Sequence, residues 1–401
     1  HSLIKLKKMI PYKTYRRFTA LLAVLACMVL LLPTGCRSRI GYNLSDFDSV
    51  VYAPRYATGF DIRGTHGMSS TLLTVRNPWQ GATDVVKQLF ISRNGEPAPK
   101  GFGGEVIHGS AGRIVCMSTS YIAMLDALEC NNRIVGVSGI DYILNDSVRQ
   151  GYSEGRVADV GYDSETNFER ILALAPDIVL LYGVSGDNSI VTGKLQELGI
   201  PYFYIGDYLE ESPLGKAEWL VAMAEIAGCR ERGIERFDSI AARYERQRTA
   251  IAGAISGNRP TVMFNTPYRD TWYMPSSRSY AVRLVEDAGG RYIYKGNDSN
   301  SSQAIDLEQA YLLAEQADCW INVDSYASLD EMRARNPRFA QARALRNGRV
   351  YAADRRTTPA GGSDFWESAI VNPDIVLRDL IAILHPETAD TTELYYYRKL
   401  E

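Results

Sequence analysis

The chain has 401 residues, of which 46% are hydrophobic and 23% are charged, a balance typical of a globular protein large enough for two domains. The formal net charge of -3 gives no indication of a nucleic-acid partner or of a polybasic membrane-binding surface. Histidine occurs only three times after residue 36, which excludes a histidine-rich metal site, and neither a cofactor nor a metal site is predicted.

The N-terminal segment has the features of a bacterial lipoprotein signal. Basic residues between positions 5 and 17 precede an apolar stretch at 21–32, which has the length of a signal core and is short for a membrane span. Small residues lead into Cys36, although Pro33 occupies the position where such signals usually carry leucine. We therefore predict that residues 1–35 are a signal peptide and that Cys36 carries lipid. The alternative is a plain N-terminal membrane anchor, and both place the body outside the cytoplasm.

Residues 36–110 are predicted to form a tether and an N-terminal extension without a catalytic pattern. Short β-strands are expected at 50–52, 71–75 and 88–91, between glycine and proline breaks. The glycine- and proline-rich segment 95–104 is predicted to be a connection. The extension is therefore expected to be rich in β-structure.

Residues 111–212 alternate between apolar strands and helices, which predicts a first lobe. Continuous apolar strands of this kind belong to parallel sheets that are covered on both faces. The strands are expected at 113–117, 134–137, 178–181 and 202–205.

Residues 213–256 are predicted to be a helical linker. Apolar residues recur at three- and four-residue steps from Ile234 to Ile255, with charged residues between them. A helix of this length spans roughly 35 Å, enough to bridge two lobes.

Residues 257–387 resume the alternation and are predicted to form a second lobe, followed by a tail at 388–401. The two halves share a repeat, in which a glutamate in the first turn of a helix precedes an aspartate before an apolar strand. The pairs are Glu169 with Asp177 and Glu308 with Asp318. The predicted fold is therefore α/β, with two doubly wound lobes that contain parallel central sheets, one long bridging helix and an N-terminal β-rich extension.

These segments together resemble the helical-backbone (class III) periplasmic substrate-binding proteins, which serve ABC importers of ferric siderophores, haem and vitamin B12. The resemblance covers roughly residues 113–387. It depends on the segment 167–179, the bridging helix, Asp306-Leu307-Glu308 and the C-terminal Asp364-Phe365-Trp366-Glu367. It implies a receptor with no enzymatic activity.

The resemblance also implies roles for particular residues. Glu169 and Glu308 match the glutamates with which each lobe docks on arginines of the ABC permease dimer, whose ATPase subunits drive transport. For a single glutamate, complementing the helix dipole would be the simpler explanation, but two equivalent positions favour docking. The ligand is expected between the lobes, on aromatic and arginine side chains; the candidates are Tyr142, Tyr182, Tyr268, Arg269, Trp272, Tyr273, Arg278 and Trp366, with Tyr182 and Trp272 the strongest.

The sequence gives an order of preference among ligand classes but does not identify one particular metal chelate. A ferric siderophore comes first, haem second and cobalamin third, because Ser302 stands where cobalamin binders carry a tryptophan. An enzyme or a scavenging receptor on the same scaffold would explain the pattern differently. A redox enzyme that holds a metal cluster would require Cys ligands at cluster spacing, and a hydrolase would require a serine in a Gly-flanked elbow. The sequence contains neither pattern.

Four cysteines follow Cys36 and are far apart in the sequence. Cys116 and Cys319 lie in apolar strand-like runs, where a buried free thiol is the common explanation. In an oxidising compartment one or two disulfides are compatible with this set, which also contains Cys130 and Cys229, and their pairing stays open.

Overall fold

A computed structural model describes residues 42–183, 186, 188–255, 257, 259–299, 301–389 and 393–401. Residues 43–401 form one compact unit. The predicted signal peptide and the predicted lipidation site Cys36 lie outside the described residues. Among the helices in the described part, none is both long and apolar enough to cross a membrane.

The N-terminal extension folds as a five-stranded sheet in the order β1-β2-β3-β4-β5, antiparallel except for the parallel pair β4/β5. Three of its strands were predicted, whereas β2 and β5 were not. The strand β2 alternates buried and partly exposed residues, so that it lacks the continuous apolar run of the others. The strands are β1 (Ser49–Tyr52), β2 (Phe60–Gly64), β3 (Thr71–Arg76), β4 (Val86–Ser92) and β5 (Glu105–His108).

The first lobe contains a parallel five-stranded sheet in the order β10-β9-β6-β7-β8, which confirms the predicted doubly wound architecture. Its apolar strands are almost fully buried because helices cover both faces. The strands are β6 (Ile114–Cys116), β7 (Ile134–Val137), β8 (Ala158–Asp159), β9 (Ile178–Leu181) and β10 (Tyr202–Tyr204). The helices are α1 (Thr119–Ala127), α2 (Asp146–Ser153), α3 (Phe168–Ala173) and α4 (Ser189–Glu197).

Two helices, α5 (Pro213–Ile226) and α6 (Arg230–Ala254), connect the lobes. The helix α5 is buried along nearly its whole length. The helix α6 is the predicted bridge. Near its beginning, Arg232 donates to the Leu128 carbonyl of the first lobe at 2.7 Å. Further along, Arg243 pairs with Asp374 of the second lobe at 2.6 Å.

The second lobe has a five-stranded sheet in the order β13-β11-β15-β16-β17, parallel except for β17. A separate antiparallel pair joins β12 and β14. The strands are β11 (Thr261–Phe264), β12 (Trp272–Met274), β13 (Arg291–Tyr292), β14 (Gln303–Ile305), β15 (Cys319–Val323), β16 (Val350–Ala352) and β17 (Arg398–Lys399). The helices are α7 (Tyr280–Asp287), α8 (Leu307–Ala314), α9 (Leu329–Arg335), α10 (Arg343–Arg346), α11 (Asp364–Glu367) and α12 (Pro373–Leu384).

The C-terminal residues do not form the predicted tail, since β17 adds an antiparallel edge strand to the second lobe. Tyr396, Tyr397 and Leu400 are buried there. The buried Asp379 of α12 accepts hydrogen bonds from the backbone N–H groups of Tyr395 and Tyr396, at 2.9 and 2.7 Å. The last residues are therefore part of the lobe.

The internal repeat has the same local structure in both lobes. Asp177 accepts from the backbone N–H of Arg113 at 2.9 Å, and Asp318 accepts from that of Thr261 at 2.9 Å. Each aspartate thus ties the end of a helix–strand connection to the start of the neighbouring strand. These equivalent contacts support two related lobes.

Buried carboxylates of the helical linker hold the extension in place. Glu218, which is fully buried in α5, accepts from Tyr52 Oη and from the backbone N–H groups of Arg55, Tyr56 and Ala57, all at 2.7 to 2.8 Å. Such charge-assisted bonds compensate for the cost of burying the carboxylate. The extension is therefore packed into the body of the protein.

Candidate ligand-binding cleft

A cleft of about 610 Å³ is lined by residues of both lobes and of α5. Its first-lobe residues lie just after the carboxyl ends of β6, β7, β9 and β10, where ligands bind in open parallel sheets. The lining is mostly aromatic or small. It includes Ser118, Thr119, Tyr121, Tyr142, Tyr162, Tyr182, Asp207, Tyr208, Lys216, Tyr280, Gly361, Gly362, Phe365 and Trp366.

Three predicted ligand residues, Tyr142, Tyr182 and Trp366, lie in this lining. Tyr142 is 45% exposed, and its ring centroid lies 5.7 Å from that of Tyr162, which is also exposed. Trp366 is 60% exposed and packs by its edge on Phe365. Exposed rings of this size offer the cleft apolar faces on which a flat or aromatic ligand can stack.

Lys216 places a cation in the cleft. Its Nζ lies 4.3 Å from the centre of the Tyr280 ring and 3.8 Å from Asp207 Oδ2. Burial raises the pKa of the Asp207 carboxyl, and the charge of Lys216 opposes that rise. Lys216 is the only lysine or arginine among the lining residues that the structure describes.

The floor of the cleft is fixed by the first lobe. The Tyr121 hydroxyl donates to the carbonyls of Leu181 and Ile205, at 3.1 and 3.2 Å, across the ends of β9 and β10. Burial raises the pKa of this hydroxyl far above its ordinary value. Tyr121 therefore remains a neutral donor that joins two strands at the cleft.

Trp272 was predicted to be a ligand residue, and the structure shows that this was wrong. The side chain is 0% exposed, and its ring stacks on that of Trp320 at a centroid distance of 5.4 Å. Its Nε1 donates to the carbonyl of Phe264 at 2.8 Å. Trp272 has no surface left for a ligand and serves as core of the second lobe.

The other predicted residues of this region are outside the lining of the cleft. Tyr268 and Tyr273 are exposed on the segment that leads into and forms β12, and the Arg269 guanidinium lies over the Tyr268 ring. Arg278 pairs with Glu211 at 2.8 Å. The cleft thus lacks the arginines that the sequence suggested for it.

Several lining residues were missed from the sequence, above all Lys216, Asp207 and Tyr280. Asp207 follows the carboxyl end of β10, so that the rule that selected Tyr182 after β9 would also have found it. Lys216 lies in the first turns of α5, which was interpreted only as a linker.

The two lobes touch along one side of the cleft. Glu367 of α11 accepts from the backbone N–H of Leu144 at 2.8 Å, and Thr119 Oγ1 donates to the Trp366 carbonyl at 3.4 Å. At Gly362 an added Cβ would overlap the carbonyl group of Tyr142. Burial raises the pKa of Glu367 to about 7, since neighbouring Asp364 adds to the effect and the N–H of Leu144 only partly opposes it.

Glu169 and Glu308 occupy equivalent places in the two lobes. Each is exposed in the first turn of its helix, α3 or α8. The caps are alike: Asn167 accepts from the N–H of Arg170 at 2.9 Å, and Asp306 accepts from that of Gln309 at 2.7 Å. Within the described residues, no group of three or more His, Cys, Asp or Glu side chains is placed to hold a metal ion.

Two parallel-sheet lobes, a bridging helix and an aromatic cleft between them define a substrate-binding protein of the helical-backbone class. Residues 114–357 match the family model for periplasmic binding proteins, and the chain belongs to that family.

The chain is similar to curated proteins and to solved structures. Two uncharacterized lipoproteins of Methanocaldococcus jannaschii are 28% and 26% identical to it; each alignment covers 79% of this chain, with 77% and 81% of the respective relative. A periplasmic heme binding protein from Pseudomonas aeruginosa superposes with a TM-score of 0.56 at 20% identity, covering 73% of this chain and 98% of the other. A periplasmic heme binding protein of Vibrio cholerae gives 0.53 at 15% identity, with coverage of 68% and 99%. At these identities the solved structures establish the fold alone.

Proposed function

We propose that this protein is the lipid-anchored substrate-binding component of an ABC importer. It captures an iron chelate, a siderophore or haem, between its lobes and delivers it to a permease dimer. The observation that carries this proposal is the cleft of about 610 Å³, lined by both lobes, in a chain of the periplasmic binding protein family. Its size is within the range of small-molecule sites.

The charge of the cleft favours chelates that carry little negative charge. A ferric tris-catecholate is trianionic, whereas a ferric tris-hydroxamate core is neutral and haem has an uncharged face with two carboxylates. Lys216, the one lysine among the described lining residues, is already beside Asp207 and cannot compensate three negative charges. Tyr142 and Trp366 offer rings for an apolar or planar surface. We therefore place hydroxamate-type siderophores and haem ahead of catecholates. Cobalamin ranks after siderophores and haem because of Ser302, not because of charge.

Binding is tested by titrating the purified protein with a ferric hydroxamate, haemin and cyanocobalamin, following tryptophan fluorescence and absorption. Tyr142→Ala removes a ring of the cleft and is expected to weaken binding about tenfold. Tyr273→Ala, which removes a similarly exposed ring outside the lining of the cleft, is the matched control and should keep the wild-type affinity. Equal effects of both changes, or no binding of any chelate, would contradict the proposal.

Docking is assigned to Glu169 and Glu308, because two carboxylates fixed on rigid lobes form paired, charge-assisted contacts and set orientation. In cells with the cognate importer, the double change to alanine is expected to abolish chelate uptake while purified protein still binds. Glu197→Ala, another exposed glutamate of the first lobe, serves as the control. Uptake that survives the double change would favour a scavenger without an importer.

The lipid anchor and the absence of an enzymatic reaction on the ligand are tested separately. Cys36→Ser is expected to move the protein from the membrane fraction to the soluble fraction, because it removes the thiol that accepts the lipid. Ligand recovered from the receptor should be chemically unchanged, since ATP hydrolysis occurs in another subunit. Recovery of a modified chelate would instead support an enzyme on this scaffold.

A further inference from the structure

Two cysteines that are 99 positions apart in the sequence lie side by side in the fold. Cys130 Sγ and Cys229 Sγ are 3.9 Å apart, which is contact distance for two thiols. Cys130 is buried just after α1, whereas Cys229 is partly exposed and immediately precedes the bridging helix α6. The pair therefore stands where the first lobe joins the bridge.

We propose that Cys130 and Cys229 form a disulfide that fastens the first lobe to the bridging helix. A disulfide has an S–S distance of about 2.05 Å, so the sulfurs must approach by about 1.9 Å. Rotation about the Cα–Cβ bonds can supply much of this movement, because Cys229 is only partly enclosed. The proposal goes beyond the proposed transport function and does not depend on which ligand is bound.

The surroundings of Cys130 and Cys229 explain why an enzyme must supply the oxidant for disulfide formation. Burial, followed by the neighbouring Cys130 thiol, raises the pKa of Cys229 to about 11, although Arg232 and Arg133 partly oppose the rise. Little thiolate is present at neutral pH, so uncatalysed oxidation is slow. The co-reactant is therefore the disulfide of a thiol–disulfide oxidoreductase.

The exchange balances in two steps. The Cys229 thiol loses its proton and attacks one sulfur of the oxidoreductase disulfide, whose other sulfur leaves as a thiolate and takes up a proton. The Cys130 sulfur, after losing its proton, then attacks Cys229 Sγ and releases the second oxidoreductase sulfur as a thiol. Two thiols of this chain are oxidised and one external disulfide is reduced to two thiols.

The other two described thiols of the body provide an internal control. Cys116 and Cys319 lie fully buried in β6 and β15, the central strands of the two lobe sheets. Burial raises the pKa of Cys319 to about 12 and that of Cys116 higher still. Inaccessible thiols of this kind are expected to stay reduced under the same treatment.

The link would close a long loop, which stabilises a fold chiefly by restricting the unfolded chain. It would also restrain the first lobe, whose helix α1 carries cleft residue Thr119 at its beginning, relative to the bridge. We expect the oxidised form to melt several degrees above the reduced form, with ligand binding retained.

The test uses the full chain, purified in detergent without reductant and treated with oxidised glutathione and a catalytic disulfide oxidoreductase. Free thiols are blocked with N-ethylmaleimide under denaturing conditions, and unreduced digests are analysed by mass spectrometry. We expect a cross-linked peptide that joins Cys130 and Cys229 and disappears on reduction, with Cys116 and Cys319 alkylated. Cys229→Ser should abolish the cross-link and melt with the reduced wild type.

Two results would overturn the proposed disulfide, and a third would overturn its stabilising role. One is alkylation of both Cys130 and Cys229 after exposure to the oxidant. Another is a stable glutathione adduct on Cys229, since this would show that Cys130 cannot reach it. The third is an equal melting temperature of the oxidised and reduced wild type, which would refute the stabilising role of the link.

Discussion

The contact between Glu367 and the first lobe makes the stability of the protein depend on pH. Glu367 is almost fully buried in α11, where its carboxylate accepts the N–H of Leu144 across the lobe boundary. Burial is the main cause that raises its pKa to about 7, against an ordinary value of 4.5. Between these two values the unfolded chain has released the proton that the folded protein still holds. Stability therefore falls as the pH rises from 4.5 to 7 and is constant above that range.

The magnitude follows from the shift. The rise of the Glu367 pKa from 4.5 to about 7 corresponds to about 3 kcal/mol of stability lost above pH 7. For a unit of about 360 residues, the entropy of unfolding converts this to about 4 °C in melting temperature. Glu367→Gln keeps an oxygen that can accept the N–H of Leu144 and removes the charge.

Thermal unfolding at pH 5 and pH 8 is the assay. We expect Glu367→Gln to melt near the wild type at pH 5 and about 4 °C above it at pH 8. The exposed Glu286 of α7, changed to glutamine, should give the same difference at both values of pH. A Glu367→Gln protein that is no more stable than wild type at pH 8 would refute the assignment of a buried carboxyl with a raised pKa.

Three further predictions concern the core, the cleft and the extension. Trp272→Ala should lower the free energy of unfolding by about 3–5 kcal/mol in denaturant titrations. Trp366→Ala should instead weaken chelate binding about tenfold and leave stability unchanged. Loss of binding in Trp272→Ala and loss of stability in Trp366→Ala would place Trp272 in the site. Glu218→Ala leaves buried donors unpaired and should cost about 3 kcal/mol, with faster proteolysis of the extension; wild-type protection would show that other contacts hold it. Gly362→Ala inserts a Cβ against the Tyr142 carbonyl, so small-angle scattering should report separated lobes, and an unchanged profile would contradict the tight contact.

Strands could be predicted from the sequence wherever burial on both faces requires a continuous run of apolar residues. The strands β6, β7, β9, β11 and β15 are of this kind, and the charged helix α6 has a clear three- and four-residue spacing. The edge strand β17 contains only Arg398 and Lys399, so nothing in its composition indicates a strand. Its position depends on pairing with β16 and on the carboxylate of Asp379, which are tertiary effects.

Residues of the candidate site could be predicted where the strand topology determines their position, but not where side-chain packing determines their orientation. Tyr142 and Tyr182 follow the carboxyl ends of β7 and β9, and this rule placed both in the lining of the cleft. Trp272 comes after β11 in the sequence but begins β12, and its ring is turned inward onto Trp320, an orientation that the sequence does not reveal. Lys216 was missed because α5 is buried along nearly its whole length, and its sequence does not show which face forms a wall of the cleft.

The charges at Lys216 and Asp207 decide which part of a ligand the cleft can accept on that side. With both groups ionised the pair is neutral, so an approaching anion loses its hydration and gains little electrostatic attraction. The raised pKa of Asp207 makes proton uptake by this carboxyl cheap, which leaves Lys216 as an uncompensated cation beneath the ring of Tyr280. A ligand with one anionic group near Lys216 is thus expected to bind with proton uptake, whereas a neutral chelate is not. Calorimetry in buffers of different ionisation enthalpy separates these cases, and proton uptake that persists in Lys216→Met would show that another group supplies it.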